Sequence, residues 1–495
     1  MPGGVQLIAY ADRLGGSLTG LRRLLDGPLA GAFGGVHVLP FYRPYDGADA
    51  GFDPDDHLAV DPRLGTWDDV AALARGRDVV ADLIVNHVSD RSAAFGDVVE
   101  RGEASPSAGM FLTYDRVFPR GATAADLLAI TRPRPNLPFT RAVLGGRPRL
   151  MWTTFTPHQI DLDVHDPAAR AYLSRVLDRL ADCGVTVVRL DAVGYTVKTA
   201  GTSCFLTPET FAFVDEITAE AHDLGLQVLG EVHATHRHAS RAAAHVDRVY
   251  DFALAPLVLH AVFTGDAGPL RRWWAARPQN AVTVLDTHDG LGMLDASGLL
   301  APTQIEGVVD RIGRNSGGTS VVSRVPGGVY QVSCTAYDAL GRDDRAYLLA
   351  RLLQLFTPGV PQVYYVGLLA GRNASRADPG VDAREINRRR YTADEVDGAL
   401  AQPVVATLLE LVRLRTAHPA FTGGFTVSDA AAGELVLSWR RGVATAELWA
   451  DLARGAWRAS FAGDSGTRTF TTDAAAPSSA GPPRDDRRPG AAGRA

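Results

Sequence analysis

The sequence predicts a (β/α)8 TIM barrel with inserted and appended domains. Short runs rich in Val, Ile and Leu alternate with helical patterns, as they do when helices cover a parallel sheet. Each run is almost continuously apolar, which is typical of strands buried on both faces. Helices between the runs, such as 167–182 and 208–224, favour a closed barrel. The candidate strands cover residues 5–10, 35–41, 78–87, 185–193, 226–233, 248–254, 281–289 and 360–367.

The chain of 495 residues is too long for the barrel alone, since such a barrel needs about 250 residues. Two gaps interrupt the strand rhythm, and the composition changes to alternating segments such as 435–441 near the end. We therefore predict the following division: a barrel from 1–84, 166–290 and 342–421; an inserted domain B at 85–165; a second insertion, B′, at 291–341 with a mobile loop at 314–328; a C-terminal antiparallel β domain at 422–471; and a disordered tail at 472–495.

Composition excludes several classes of function. A hydrophobic content of 46% and a charged content of 21% are those of a globular protein. The net charge of −6 and the lack of a basic stripe argue against a nucleic-acid partner. Three widely spaced cysteines offer neither a disulfide framework nor a CxxC zinc site. With no signal-peptide pattern and no long apolar run, we expect a cytoplasmic protein without a membrane span.

Titratable residues crowd the ends of the predicted strands. Arg189 and Asp191 lie two apart in one strand, so their side chains share a face. A lone pair of this kind could be a structural ion pair. Several such ends converge on one rim of a barrel, however, and perturbed groups cluster at functional sites. The rim candidates are Asp82, Asn86, His87, Arg189, Asp191, Glu231, His233, His288 and Asp289.

Three carboxylates without a cofactor motif suit the chemistry of glycosidic bonds. We predict no metal, because Arg189 beside Asp191 would repel a cation. The sequence contains no GxSxG elbow, no P-loop and no GxGxxG after a strand, so serine hydrolases and nucleotide-binding enzymes lack their motifs. We therefore expect no organic cofactor either.

The same residues carry a family resemblance. The blocks DLIVNH (82–87), VVRLDAV (187–193), LGEVH (229–233) and LDTHD (285–289) resemble the four conserved regions of the α-amylase superfamily of retaining α-glycosidases, glycoside hydrolase family 13. Longer segments, among them LPFYRPYDGADAGFDP, AGTSCF and PGVPQVYYVGLLAG, resemble the sucrose phosphorylases within that superfamily from about residue 5 to residue 391. The likeness is weaker in the C-terminal β domain and absent in the tail.

The resemblance implies a transfer reaction with retention of configuration. Sucrose and inorganic phosphate would yield α-D-glucose 1-phosphate and fructose through a covalent β-glucosyl-aspartate, with transglucosylation as a side activity. Asp191 would be the nucleophile, Glu231 the acid/base with a raised pKa, and Asp289 the transition-state stabiliser. Retention requires the two reacting carboxyl groups to be about 5 to 5.5 Å apart.

The resemblance also implies a set of binding residues. The glucosyl and leaving-group contacts would be Asp49, Phe52, His87, Phe155, Gln159, Arg189, Tyr195, His233, His288 and Arg384. Phosphate and the acceptor would meet Arg134, Tyr330 and Gln331. Taken alone, the aromatic residues could be core, and Asp49 could cap a turn.

The acceptor side departs from the family pattern. Thr131 stands where a tyrosine is usual, and Gly327-Gly328 replaces a Leu-Asp pair. Retention of Pro133 and Gln331 favours sucrose over glucosylglycerol, glucosylglycerate or sucrose 6′-phosphate. A hydrolase or transglucosidase with the same site, and an inactive barrel serving as a scaffold, are the rival hypotheses. Relatives are often homodimers, but no self-complementary patch is evident in the sequence, so the oligomeric state stays open.

Overall fold

The computed structural model describes residues 4–44, 49–133, 136–374, 383–428, 433–464 and 466–472. For residues 383 and 384 it describes the backbone alone. The predicted tail at 472–495 therefore lies outside the described residues, apart from Thr472.

Eight parallel strands close into a barrel, as predicted. Each strand pairs with its neighbours in chain order, and β8 closes against β1. The strands are β1 Gln6–Ala9, β2 Gly35–Val38, β3 Asp78–Ile84, β4 Val187–Asp191, β5 Gln227–Gly230, β6 Arg248–Asp251, β7 Ala281–Thr283 and β8 Val360–Tyr364. Strands β5 and β7 end earlier than expected, so Glu231, His288 and Asp289 lie in the loops that follow. Loops at this end of a barrel are where active sites form.

Helices follow most of the strands. The helix after domain B begins at Pro167, where Asp166 caps the N-terminus by accepting from the N–H of Ala168. The one before β5 begins at Pro208 with Thr207 as its cap. The helices of the barrel and its C-terminal extension are Leu18–Asp26, Trp67–Leu73, Pro167–Asp182, Pro208–Asp223, His236–Ala242, Leu254–Thr264, Gly268–Ala276, Asp344–Phe356, Tyr365–Leu368, Ala393–Leu400 and Pro403–Ala417.

The region predicted as domain B leaves the barrel after β3. Strand His87–Ser89 pairs antiparallel with Gln159–Asp161, which places His87 opposite Asp161 at the junction with the barrel. Between them lie the helices Ala93–Arg101, Tyr114–Val117 and Ala124–Ala129 and the hairpin Phe139–Leu144 with Arg147–Trp152. Trp152 is buried against Phe118 and Phe139 in a small core of its own.

The B′ region is more ordered than the sequence suggested. Its helix Pro302–Asn315 is followed by a hairpin of Val321–Val325 and Gly328–Ser333, which pairs with Leu291–Gly292. Within the segment expected to be a loop at 314–328, residues 321–325 and Gly328 are therefore strand. The valines of this segment favour an extended chain, and Gly328, with φ of 127°, follows the turn.

A five-stranded antiparallel sheet forms the C-terminal unit, as predicted. Its strands are Gly424–Ser428, Glu434–Arg441, Ala444–Asp451, Ala456–Gly463 and Gly466–Thr471. Trp439 joins the sheet to the barrel, because its Nε1–H donates to the carbonyl of Phe356 at 2.8 Å. Cys183, Cys204 and Cys334 are free thiols and buried. Among the helices that the model describes, none has the length and apolar character needed to cross a membrane.

Helix burial leads to a stability prediction. Leu177 lies on the Pro167–Asp182 helix and is fully buried against the barrel, whereas Leu128, on a helix of domain B, is 78% exposed. Leu177→Ala should lower the free energy of unfolding by about 2–5 kcal/mol, because it removes buried methyl groups and leaves a cavity. Leu128→Ala should change it by less than about 0.5 kcal/mol. Urea titrations followed by circular dichroism measure both, and equal effects would contradict this packing.

Candidate active site

A cavity of about 180 Å³ opens at the C-terminal ends of the barrel strands. The loops after the strands bring together residues that are up to 282 positions apart in the sequence, from Asp49 to Gln331. Of the residues predicted for the site, the following line it: Asp49, Phe52, His87, Phe155, Asp191, Tyr195, Glu231, His233, His288, Asp289, Tyr330 and Gln331. The lining residues that the sequence did not single out for this site are Ala192, Gly194, Phe205, Val232 and Ser323, while Pro133 was noted there only for its bearing on specificity.

Arg189 lies beneath the floor of this cavity and binds three carboxylates. Its Nη1 contacts Asp82 and lies 3.1 Å from Oδ1 of Asp191, and its Nη2 contacts Oε1 of Glu231. The guanidinium is 2% exposed, so these interactions are screened little by water. One side chain therefore positions both candidate reacting carboxylates.

Asp82 anchors that guanidinium from below. Burial alone would raise the pKa of Asp82, but the Arg189 and His37 charges outweigh it and hold the pKa below its ordinary value. His37 contacts Asp82 through Nε2 at 3.0 Å, and the hydroxyl of Tyr250 lies 3.3 Å from the other ring nitrogen of His37. Tyr250 in turn donates to Gln362 at 3.0 Å. Polar side chains thus link the site to the interior of the barrel.

The two candidate reacting carboxylates, Asp191 and Glu231, differ in how readily they ionise. Burial and then the Glu231 charge raise the pKa of Asp191 well above its ordinary value. Burial also acts on Glu231, but the Arg189 charge and the contact with His233 lower its pKa well below the ordinary value. The prediction of a raised pKa at Glu231 is therefore wrong. The reason is geometric, since Nη2 of Arg189 contacts Glu231 closely, whereas Nη1 is shared between Asp82 and Asp191.

Backbone geometry adds to the stabilisation of Glu231. Ala192 has φ of 51° and ψ of 27°, a left-handed conformation that costs energy for a residue with a side chain. It places the N–H of Ala192 3.1 Å from Oε2 of Glu231, where it donates a hydrogen bond. This strained turn follows Asp191 directly and so couples the two carboxylates through the backbone as well.

His233 is held as a cation at the edge of the cavity. Its ring stacks on Phe252 at 3.9 Å, and its Nε2 lies 3.4 Å from Glu231 while its Nδ1 lies 4.0 Å from Asp295. Burial alone would lower its pKa, but the Asp295 and Glu231 carboxylates raise it to about 10. Phe252 and Asp295 were not predicted, since Phe252 directly follows β6 but carries no titratable group, and Asp295 does not lie at a strand end.

His288 and Asp289 form the adjoining part of the cavity wall, where Oδ2 of Asp289 lies 4.0 Å from Nε2 of His233. The His288 ring stacks on Phe52 at 4.8 Å, and its Nε2 lies 3.2 Å from Asp289. Burial, together with the Arg388 charge, keeps the pKa of His288 well below its ordinary value, so the ring is neutral. Burial raises the pKa of Asp289.

Arg388 is a residue that the sequence analysis missed. Its Nε donates to the carbonyl of His288 at 2.9 Å, its Nη2 donates to Asp289 at 3.3 Å, and its Nη1 lies 3.8 Å from Asp49. The predicted arginine was Arg384, whose side chain lies outside the described part of the chain. The run of three arginines at 388–390 offered no signal to select the first of them.

Another part of the cavity wall is formed where the barrel meets domain B. His87 meets Phe155 at 5.3 Å, and Phe155 meets Tyr195 at 5.4 Å between ring centres. Gln159 does not line the cavity but lies behind His87, with its amide nitrogen 3.1 Å from Nε2. Predicted as contacts of the sugar, Gln159 and Arg189 are both placed behind the wall of the cavity.

The outer side of the cavity comes from the B′ hairpin. Ser323, Tyr330 and Gln331 line it, and the Tyr330 ring lies 6.1 Å from that of His233. Pro133 and Phe205 face them from domain B and the loop after β4. Arg134, predicted to meet phosphate, lies outside the described residues.

Three groups of the site have the spacing of metal ligands. One ligand atom each of Glu231, His233 and Asp289 lies within 4.8 Å of the others. Their charges oppose a cation, because Arg189 contacts Glu231, Arg388 contacts Asp289, and His233 would first have to lose its proton. The arrangement is better suited to a neutral polyol or to an anion near His233.

Comparisons with known proteins agree with this geometry. The catalytic-domain model of α-amylase matches residues 15–261. A sucrose phosphorylase of Agrobacterium vitis is 52% identical over 92% of this chain and 96% of its own. A sucrose phosphorylase of Bifidobacterium adolescentis is 45% identical over 91% of this chain and 92% of its own.

A solved structure is similar over the whole fold. The sucrose 6F-phosphate phosphorylase from Thermoanaerobacter thermosaccharolyticum is 36% identical and superposes with a TM-score of 0.90, covering 95% of this chain and 98% of that one. The match extends over the barrel, both insertions and the C-terminal sheet. By its fold, its site and these relatives, the chain is an enzyme that belongs to the sucrose phosphorylase family of the α-amylase superfamily, glycoside hydrolase family 13.

Proposed function

We propose that the chain catalyses the phosphorolysis of sucrose to α-D-glucose 1-phosphate and D-fructose, with retention at the anomeric carbon. The proposal is carried by one observation: the guanidinium of Arg189 contacts both Asp191 and Glu231 at the floor of a cavity lined by polar and aromatic side chains. Its support from the comparisons is the 52% and 45% identity to two sucrose phosphorylases.

In the first step, Asp191 attacks the anomeric carbon and forms a glucosyl ester. The bond from that carbon to the fructosyl oxygen breaks, and Glu231 gives its proton to the departing oxygen. The pKa of Asp191 is raised and that of Glu231 is lowered, so binding of the neutral sugar must reverse this order for Glu231 to act as the acid. The two carboxyls titrate as a pair, and a small change in their surroundings can redistribute one proton.

In the second step, a phosphate oxygen attacks the anomeric carbon of the ester. The bond to Asp191 breaks, and a proton of the phosphate, if it carries one, passes to Glu231. Asp289, beside His288 and Arg388, would bind sugar hydroxyls and stabilise the positive charge that develops on the ring. Another sugar hydroxyl in place of phosphate would give transglucosylation.

Phosphate needs a cation in a cavity that carries four carboxylates. Charged His233 is the described residue best placed for this, next to Glu231 and facing Tyr330. Arg134 remains a proposed second contact. Phosphate enters as a substrate, and the proposal includes no cofactor and no metal. A cytoplasmic location belongs to the same proposal.

Acceptor identity is the part of the proposal with the nearest competitors. A related α-glucoside phosphorylase that acts on sucrose 6′-phosphate, glucosylglycerol or glucosylglycerate would share the glucosyl side of the cavity. A hydrolase or transglucosidase would share it too. We favour unphosphorylated sucrose because of the two relatives of higher identity, and because Pro133 and Gln331 both line the cavity.

The reaction type is tested by the dependence on phosphate. Incubation with sucrose and phosphate should release α-glucose 1-phosphate and fructose in equal amounts, and glucose release should stay minor. Ion chromatography of the sugars measures both. Glucose release that is unaffected by phosphate would contradict phosphorolysis. Faster turnover of sucrose 6′-phosphate than of sucrose would show that the phosphorylated sugar is the substrate.

The nucleophile is tested by Asp191→Asn. The rate should fall by several orders of magnitude, because the amide cannot form the ester. Glu209→Gln, on the exposed face of the Pro208–Asp223 helix, serves as the matched control and should keep the wild-type rate. Mass spectrometry of the Glu231→Gln protein, incubated with sucrose and digested, should find a glucosyl group on the peptide that carries Asp191. A wild-type rate for Asp191→Asn would refute the assignment.

The charge on His233 leads to a pH prediction. With its pKa near 10, His233 stays protonated through neutral pH and loses its charge only as the pH rises through that value. Asp295→Asn removes a carboxylate that raises this pKa, so the basic limb of kcat/KM for phosphate should move to lower pH. Asp266→Asn, on an exposed loop, should leave the profile in place. Profiles that coincide for both variants would show that Asp295 does not control this charge.

A further inference from the structure

One lysine occurs in the whole chain. Of the 50 basic Lys and Arg residues, 49 are arginine, and the lysine stands at position 198. A chain that uses arginine nearly everywhere keeps a compact ammonium at this one place, where the side chain is only 1% exposed. An ammonium is a compact point charge with three donors, whereas a guanidinium is a larger planar group.

Lys198 bridges the barrel and domain B. Its Nζ lies 2.5 Å from Oδ2 of Asp161 and 2.8 Å from Oδ1 of Asn86. Asn86 lies between β3 and the strand that begins at His87, and Asp161 belongs to the strand that returns from domain B. The backbone N–H of Leu162 also donates to the carbonyl of Asn86 at 2.8 Å. The lysine therefore sits at the base of the ribbon that carries His87 and Gln159.

The contact with Asn86 has a consequence for His87. Lysine has donors and no acceptor, so the Asn86 atom that it meets must be the oxygen. The amide nitrogen of Asn86 then points at Nδ1 of His87, 3.2 Å away, and donates to it. Nδ1 must be the acceptor, and the ring proton is left on Nε2, which lies 2.8 Å from the carbonyl of Phe52 and donates there. The Asn86 amide and the Phe52 carbonyl agree on this tautomer. The Gln159 amide, whose nitrogen lies 3.1 Å from Nε2, fits it when the amide is turned so that its oxygen, which has no hydrogen-bond partner as placed, faces the ring and accepts.

We propose that Lys198 is a positioning residue that, through Asn86, holds His87 in the Nε2–H tautomer and so presents a hydrogen-bond donor on the wall of the cavity. Lys198 itself does not line the cavity. Through Asp161 the same ammonium also holds the strand that carries Gln159. The consequence for activity rests on the proposed function, because His87 would donate to a glucosyl hydroxyl in place of the Phe52 carbonyl.

Nitrogen-15 NMR of histidine-labelled protein tests the tautomer without any assay of activity. The long-range spectrum of the wild type should show His87 protonated at Nε2, with its signal assigned by its loss in His87→Gln. Asn86→Asp keeps an acceptor for Lys198 but cannot donate to Nδ1, so it should move the ring proton to Nδ1. A wild-type ring protonated at Nδ1, or an unchanged ring in Asn86→Asp, would overturn the proposal.

Kinetics test the role of the lysine itself. Lys198→Met leaves the buried Asp161 unpaired and risks misfolding, so the double variant Lys198→Met with Asp161→Asn removes both charges. This double variant should fold, show a mixture of His87 tautomers, and raise KM for the glucosyl donor about tenfold with a smaller change in kcat.

The matched control is Arg116→Met, which removes another cation of domain B, one that donates to Asp163 at 2.8 Å. It should change neither the His87 spectrum nor KM. A double variant with the wild-type spectrum and KM would overturn the proposal. If sucrose is not the substrate, the spectra still decide the tautomer, so failure of the proposed function and failure of the inference can be told apart.

Discussion

The site depends on one buried guanidinium. Arg189 contacts Asp82, Asp191 and Glu231 at once, and removing one partner would leave an uncompensated buried charge. The barrel supplies the positions, since β3 and β4 are adjacent and Arg189 lies in register with Asp82. Strand register therefore places Asp82, Arg189 and Asp191, while Glu231 reaches Arg189 from the first residue of the loop after β5.

The ionisation of each side chain in the cavity depends on how close it lies to a few charged neighbours. Arg189 favours the ionised form of Glu231, Arg388 contacts Asp49 and Asp289, and Asp295 keeps His233 protonated. Neutral His87 and His288 complete the walls. The floor of the cavity is built from barrel strands and their loops, while the outer side comes from the B′ hairpin. Sequence changes in the hairpin can thus reshape the outer side while the carboxylates keep their places.

Much of this could be predicted from the sequence. Buried apolar runs reveal the eight strands, and charged residues at strand ends point to the rim, because both follow from short-range patterns. The split of charge between Asp191 and Glu231 could not be predicted, since it depends on which nitrogen of Arg189 reaches which oxygen. Arg388 was hidden in a run of arginines, and Asp295 acts through His233 from a segment without a motif. The B′ hairpin was missed because glycines near its turn resemble a loop.

The single buried lysine also determines how the folded protein meets amine-directed chemistry. Succinimidyl esters and dialdehydes, which couple proteins to resins and to one another, react with exposed primary amines. The only side-chain amine of this chain is 1% exposed and held by Asp161 and Asn86. Coupling through side chains would have to use carboxylates or arginines of the surface, and a lysine placed on an exposed helix would become a unique point of attachment.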